Sequence, residues 1–200
     1  MIDYVQPDFY RFNQDSLDLI RFILNRIPNA GSILDVGAGN GIIGIELSRN
    51  LNPRMLSLLE IQSEFEPYIQ KNISLFLAEP TQTQTQIHIS SLGQWQNVHH
   101  FDLIVCNPPY YLPGHGQEST DQRRNLCRSF KSDSWEILFQ RILDWLAPEG
   151  KAFIVIKNDP VILKKSKESL AQTSLTATFH KQESLVFLEI SHGIEYKLRP

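Results

Sequence analysis

Ser32-Ile-Leu-Asp-Val-Gly-Ala-Gly-Asn-Gly41 decides how the rest of the chain is read. A short apolar run, 32–36, ends in a glycine cluster, and apolar residues resume over 42–50 with helical spacing. That pattern suits a buried strand turning sharply into a helix. Open parallel sheets bind ligands outside the carboxyl ends of their strands, and this turn sits at such an end. Glycines there permit positive backbone torsions and close approach of a ligand to the main chain, while the following helix N-terminus presents N–H groups. The turn is a candidate cofactor site.

The pattern extends outward in both directions. Before the turn, Leu17, Leu19, Ile20, Ile23, Leu24 and Ile27 recur at helical spacing, and Pro28 stops an amphipathic helix over 13–27. After it, Leu56-Ser-Leu-Leu-Glu60 repeats the strand pattern, and Ser63 with Glu66 reads as a capping box opening a second helix. A polar stretch, 81–86, precedes an expected strand at 87–90, and 101–106 is the most apolar strand candidate. Beyond a long loop, 134–146 reads as a helix stopped near Pro148 and Gly150, and 151–156 as another strand. Segments 175–179 and 184–190 lie too close together for a crossover helix, so they pair as an antiparallel hairpin at the sheet edge. The expectation is a single α/β domain over 1–200 with a mostly parallel seven-stranded sheet, a C-terminal antiparallel hairpin and helices on both faces.

A chain of 200 residues can bury one good core and is short for a cofactor domain plus a separate substrate domain. No apolar run approaches bilayer length, and the N-terminus lacks the pattern of a signal peptide, so a soluble, cytoplasmic protein is expected. Cys106 and Cys127 show no metal-ligand pairing and read as free thiols. His88, His99, His100, His115, His180 and His192 have no ligand spacing, and no metal is expected. A formal charge of -3 offers no global attraction for nucleic acid, so an RNA partner requires a local basic patch.

The turn alone leaves its ligand open. Gly39, Gly41 and Gly44 also satisfy the dinucleotide-binding pattern, with Glu60 near the distance at which an acid meets a ribose, so a nicotinamide-dependent reductase remains a reading. Asp35 inside the strand end, the short chain and Asn107-Pro-Pro-Tyr110 directly after strand 101–106 tilt the choice the other way. The prolines remove N–H donors, fix their own φ and push the preceding residue into an extended conformation, which makes a rigid loop rich in acceptors. A conjugated amino group is a poor nucleophile because its lone pair is delocalised. The Asn107 side-chain oxygen and the Pro108 carbonyl can accept its two hydrogens and align the lone pair, while Tyr110 stacks on the planar group. Asn107, Pro108, Pro109 and Tyr110 are thus the candidate catalytic residues, and no general base or metal is required.

These features together resemble the class I S-adenosylmethionine methyltransferases, and the likeness covers most of the chain. It implies a Rossmann-like fold, with Asp35, Gly37, Gly39 and Gly41 at the methionine end of S-adenosylmethionine and Glu60, beside Ile61, on the ribose hydroxyls. Asn107 borders the same cofactor. Many relatives carry an acid after the third strand for the adenine amino group, whereas Ser90 and Ser91 stand here. The tetrapeptide is similar to that of enzymes methylating amino groups of adenine, guanine or glutamine. With Tyr10-Arg-Phe-Asn-Gln-Asp-Ser16 and Leu59-Glu-Ile-Gln62, the chain looks like the bacterial family that methylates adenine N6 beside the anticodon of valine tRNA. By that resemblance Arg11, Phe12 and Gln14 help shape the cofactor pocket. The family's Ala-Arg-His-Glu-like stretch is reduced here to Arg128 within Cys127-Arg-Ser-Phe130.

Loops as long as 111–133 at the carboxyl edge of a sheet are commonly binding elements. Arg123, Arg124, Arg128 and Lys131 bring four cations near the tetrapeptide, and Arg123, Arg124 and Arg128 with Tyr111 are the candidate substrate contacts. Such residues suit tRNA, whose loop bases are already partly unstacked. Lys164, Lys165 and Lys167 read as a solvated helix face. Guanine N2 of ribosomal RNA, glutamine N5 of a protein and a non-catalytic RNA-binding role are the other readings.

Overall fold

A computed structural model describes residues 3–77, 82–109, 120–127 and 133–193. The chain runs α1 (Gln14–Leu24), β1 (Ser32–Val36), α2 (Ile42–Leu51), β2 (Met55–Glu60), α3 (Glu66–Phe76), β3 (Gln84–Ile89) and β4 (Phe101–Cys106). It continues through α4 (Gln122–Leu126), α5 (Trp135–Trp145), β5 (Leu146–Lys157), α6 (Pro160–Leu170), β6 (Leu175–Gln182) and β7 (Leu185–His192). The strands form one seven-stranded sheet in the order β3-β2-β1-β4-β5-β7-β6. Pairings from β3 through β5 are parallel, whereas β7 is antiparallel to both β5 and β6.

Strand alternation divides the interior into two cores. Ile33, Leu103, Val105, Phe153 and Val155 point to α1, α2 and α3, while Leu34, Ile104, Cys106, Ile154 and Ile156 point to α5 and α6. Every central strand is covered on both faces, which is why its sequence reads as a continuous apolar run. Three helix starts are set by side chains: Asp121 accepts from the Arg123 N–H, Ser134 from that of Ile137, and Asp159 from those of Val161 and Ile162 with Pro160 in the first turn of α6. The order reverses between β1 and β4, so a crevice opens where their carboxyl ends diverge.

Several elements differ from the sequence expectation. β3 begins at Gln84, inside the polar stretch, because an edge strand needs only one neighbour and its residues stay partly exposed. Ser63–Phe65 forms a 3-10 turn with no side-chain cap, and α3 starts at Glu66, so the expected capping box does not form. Leu146 already pairs with Phe101 before a register shift to Leu103–Lys151, which brings Pro148 and Gly150 inside β5. The segment expected to be wholly loop contains α4. On α6, Lys165 pairs with Glu136, Lys164 with Glu168, and Lys167 lies over the Phe179 ring, so the lysine face is engaged as well as solvated.

Candidate active site

The glycine turn is held by its backbone. Gly37, Gly39 and Gly41 have φ of 70°, 55° and 85°, the left-handed region where a Cβ is costly. The Gly37 and Ala38 N–H groups donate to the Leu59 carbonyl at 2.8 and 3.0 Å, tying the turn to β2. Two buried carboxylates brace it from below. Asp35 accepts from the Gly44 N–H at 2.8 Å, and Glu60 accepts from those of Gly39 and Gln62 at 2.8 and 2.9 Å. Burial pushes the Asp35 carboxyl up to about 7 against the Gly44 hydrogen bond, with the nearby Glu60 charge adding to the rise. Burial raises Glu60 too, opposed by the N–H groups of Gln62, Gly39 and Ile61. Gly44 packs tightly, since a Cβ there would sit 2.6 Å from Leu58 Cδ2.

A cleft runs along the carboxyl ends of the strands from this turn. Gly37, Gly39, Glu60 and Ile61 line one wall; Ser90, Leu92 and Asp133 close one end; Asn107, Pro108 and Pro109 form the other. Tyr10, Phe65 and Cys127 also line it. The Tyr10 ring stands edge-on to Phe65 at 5.3 Å and lies over the turn at Gly39, where the φ of 55° is what favours glycine. Asp133, arriving just before α5, accepts from the Leu92 N–H at 3.2 Å and from the Gly93 N–H at 3.4 Å. An acid therefore reaches the loop after β3 even though Ser90 and Ser91 occupy that loop.

Asn107 directly follows β4, at the junction between this cleft and an open basin of about 490 Å3, a size within the common range of roughly 300–1,000 Å3 for ligand sites. Its Nδ2 donates to Ser16 Oγ at 3.0 Å. Tyr10, Asn107, Pro108, Pro109 and Cys127 are shared by both spaces. Arg11, Arg124 and Lys157 border the basin. Lys157 is paired with Asp15 at 2.8 Å.

The sequence candidates thus divide. Gly37, Gly39, Glu60, Ile61, Ser90, Asn107, Pro108 and Pro109 line the cleft together, while Asp35 and Gly41 support the turn from behind. Arg11 lines the basin instead of the cleft. Phe12 turns toward Tyr4, ring centroids 6.3 Å apart, and Gln14 donates to Asp18 on the exposed side of α1; neither lines the cleft. Of the four expected cations, Arg124 borders the basin, while Arg123 holds Asp121 through two side-chain hydrogen bonds and lies 4.5 Å over the Phe9 ring. Tyr110, Tyr111, Arg128, Lys131 and His115 lie outside the described residues. Sequence reasoning missed Tyr10, Ser16, Cys127 and Asp133 as site residues; the quoted stretch 10–16 held two of them, but only the path of the chain shows which side chains turn inward. Cys106 is buried, and Cys127 Sγ accepts from Gln62 Nε2 at 3.2 Å. Among the described residues no three His, Cys, Asp or Glu side chains gather as a metal site, and no helix is long and apolar enough to cross a membrane.

Residues 11–183 match the model of the methyltransferase small domain. The chain belongs to that family. Within it, this methyltransferase domain is 30% identical over 140 residues to a tRNA1(Val) (adenine(37)-N6)-methyltransferase of Shewanella halifaxensis, covering 68% of this chain and 54% of the relative. It is 27% identical over 180 residues to a protein of the same name from Shewanella loihica, covering 84% and 72%. The chain spans about half the length of the first curated relatives it matches, 53% and 54%. Solved structures share the fold. A ribosomal protein L11 methylase from Lactobacillus delbrueckii subsp. bulgaricus superposes with a TM-score of 0.61 at 21% identity, covering 90% of this chain and 80% of that one. A methyltransferase from Pyrococcus furiosus gives 0.64 at 18% identity, covering 90% and 83%. The Rossmann-like methyltransferase architecture expected from the sequence is the one this domain adopts.

Proposed function

We propose that this domain uses S-adenosylmethionine to methylate the 6-amino group of an adenine in tRNA. The observation that carries the reading is the meeting of two parts at one place: Asn107-Pro-Pro follows β4 at the far end of the cleft that begins at the glycine turn and Glu60. The names of the curated relatives support the choice of tRNA adenine.

The residues present fit such a cofactor. A Cβ on Gly37 would meet nothing within 4 Å, so the turn borders open space, and the Glu60 carboxylate has acceptor capacity beyond its backbone partners for ribose hydroxyls. Asp35, Gly37, Gly39 and Gly41 form the methionine end, and Ile61, Ser90 and Asp133 the adenine end. When bound, the cofactor supplies an electrophilic methyl group on a sulfonium sulfur. In the basin, Asn107 Oδ1 and the Pro108 carbonyl accept the two hydrogens of the target amine and turn its lone pair toward that methyl, while Pro109 stiffens the loop and Tyr110 offers a stacking face. The amine nitrogen takes the methyl, and its surplus proton passes to water in the open basin. Catalysis of this kind is positioning, in which aligned reactants gain several kcal/mol over the free encounter, roughly 7–11 at best. Arg124 and Arg11 face the same basin and serve the phosphates flanking the base, with Tyr111, Arg123 and Arg128 as further substrate contacts.

Methyl-labelled S-adenosylmethionine incubated with tRNA lacking its native modifications, with ribosomal RNA and protein extract in parallel, tests this. Label recovered as 6-methyladenosine from tRNA is the expected result. Label in guanosine or in protein would keep the pocket and overturn the substrate, and absence of cofactor binding would overturn the reading.

A further inference from the structure

The first turn of α1 makes two reaches across the molecule that the mechanism above does not use. Asp15 and Ser16 are consecutive, polar and buried, at 8% and 2% exposure. Buried polar groups are retained where they are hydrogen-bonded, and each of these finds its partner far along the chain. Ser16 Oγ accepts from Asn107 Nδ2 at 3.0 Å, and Asp15 Oδ2 accepts from Lys157 Nζ at 2.8 Å. Asn107 follows β4 and Lys157 ends β5, so one helical turn grips the carboxyl ends of the two strands that flank the basin.

We propose that Ser16 is the positioning residue of the methyl-transfer site: its hydroxyl holds the donor end of the Asn107 amide so that the amide oxygen is the end presented to the target amine. The inference rests on the reading of Asn107 as the acceptor. An amide has two ends of opposite hydrogen-bonding character, and only the oxygen can accept from an amino group. A reversed amide would set its NH2 against the NH2 of the substrate, two donors facing each other with no acceptor between them. With Ser16 Oγ, buried on α1, accepting from Nδ2, the amide is held with its oxygen on the other branch before substrate arrives. The Asp15–Lys157 pair beside it anchors the helix turn that carries Ser16. Asn13 Nδ2 also donates to Asp15 Oδ2, at 3.0 Å, which braces the same turn from its start.

The discriminating experiment compares Ser16→Ala, Asn107→Ala and the double variant in single-turnover methylation of unmodified tRNA, with cofactor affinity and thermal unfolding measured on each. Removing one hydrogen bond that aligns the amide is expected to lower kcat about tenfold, with cofactor Kd and KM for tRNA within about twofold of wild type. Asn107→Ala is expected to lower kcat by roughly two to three orders of magnitude. The double variant should be no slower than Asn107→Ala alone, because Ser16 acts only through that side chain. An independent signature comes from the Asn107 side-chain amide in NMR, whose protons should exchange with solvent faster in Ser16→Ala. Unchanged kcat in Ser16→Ala while Asn107→Ala is inactive would overturn the role of Ser16 and leave the mechanism standing. Parallel loss of cofactor affinity and thermal stability would also overturn it, by making Ser16 merely structural. Full turnover in Asn107→Ala would instead remove the reading on which the inference rests.

Discussion

The cleft over β1–β3 and the basin beside β4 and β5 meet at Asn107, yet they are built by opposite means. The cleft is made of backbone and buried carboxylates: three glycines at positive φ, the Gly37 and Ala38 N–H groups donating to the Leu59 carbonyl, and Asp35 and Glu60 at 0% and 4% exposure. The basin is rimmed by long side chains, Arg11 and Arg124 on its exposed border and Lys157 at its side. Recognition by fixed main chain in a low-dielectric wall is geometric and insensitive to salt, whereas exposed cations act at longer range and are screened. A compartment built of main chain and buried carboxylates thus adjoins one bordered by exposed cations, with the Asn107 amide between them.

The largest test of that contrast is Glu60→Ala. It removes the brace of the glycine turn together with the acceptor offered to the ribose, and cofactor affinity should fall about 100-fold, as expected for losing hydrogen bonds to a charged group worth roughly 1.5–3 kcal/mol. Equilibrium dialysis measures it. Affinity for tRNA in the absence of cofactor should stay within about twofold, and a comparable fall there would mean that the two compartments are not separate.

A smaller effect is expected from Arg11→Ala combined with Arg124→Ala. Affinity for tRNA should weaken about tenfold near physiological salt, and the slope of log affinity against log salt should become shallower by about 1. Cofactor affinity should not move. Filter binding across a salt series reads both quantities, and an unchanged slope would remove these arginines from phosphate contact.

The subtlest effect concerns Asp35. Burial holds its carboxyl at about 7 in the folded protein against 3.8 when exposed, so the folded state keeps a proton that the unfolded chain releases. Stability from this group is therefore full below about pH 4 and is lost as pH rises to about 7. Glu136 works in the other direction: its hydrogen bond with Lys165 lowers it to about 2 from 4.5, so its contribution grows as pH rises through that lower range. Comparing wild type with Asp35→Asn cancels such background. The stability of the variant relative to wild type should increase between pH 4 and 7 in denaturant titrations, and a constant difference would show that Asp35 is ionised throughout.

Much of this architecture is legible from local pattern. β1 and β4 fall at the residues expected, because strands covered on both faces must be continuously apolar and end where glycine or proline breaks the run. The C-terminal hairpin follows from the shortness of its connection. β3 escaped in part because an edge strand tolerates the polar residues Gln84, Thr85 and Gln86. The Ser63–Glu66 box was misleading because a 3-10 turn took the place where the cap would act. At the site, glycines, Glu60 and the Asn-Pro-Pro run announce themselves by type and spacing. Phe12 and Gln14 were singled out where Tyr10 and Ser16 face the site, since a stretch without regular periodicity does not tell which side chains point inward.

By itself the sequence determined the alternation of strand and helix, the pairing of the C-terminal segments as a hairpin, and the candidate chemistry of an acceptor amide beside a cofactor turn. These are encoded within a few residues, by backbone torsions, donor loss at proline and burial of apolar runs. Only the tertiary structure decided that Ser16 holds Asn107, that Asp133 reaches the loop after β3, and that Arg11 belongs to the basin. Several of these contacts join residues tens of positions apart, up to 91 for Ser16 and Asn107. No local pattern encodes them, because they come into being when the sheet brings the carboxyl ends of distant strands to one edge.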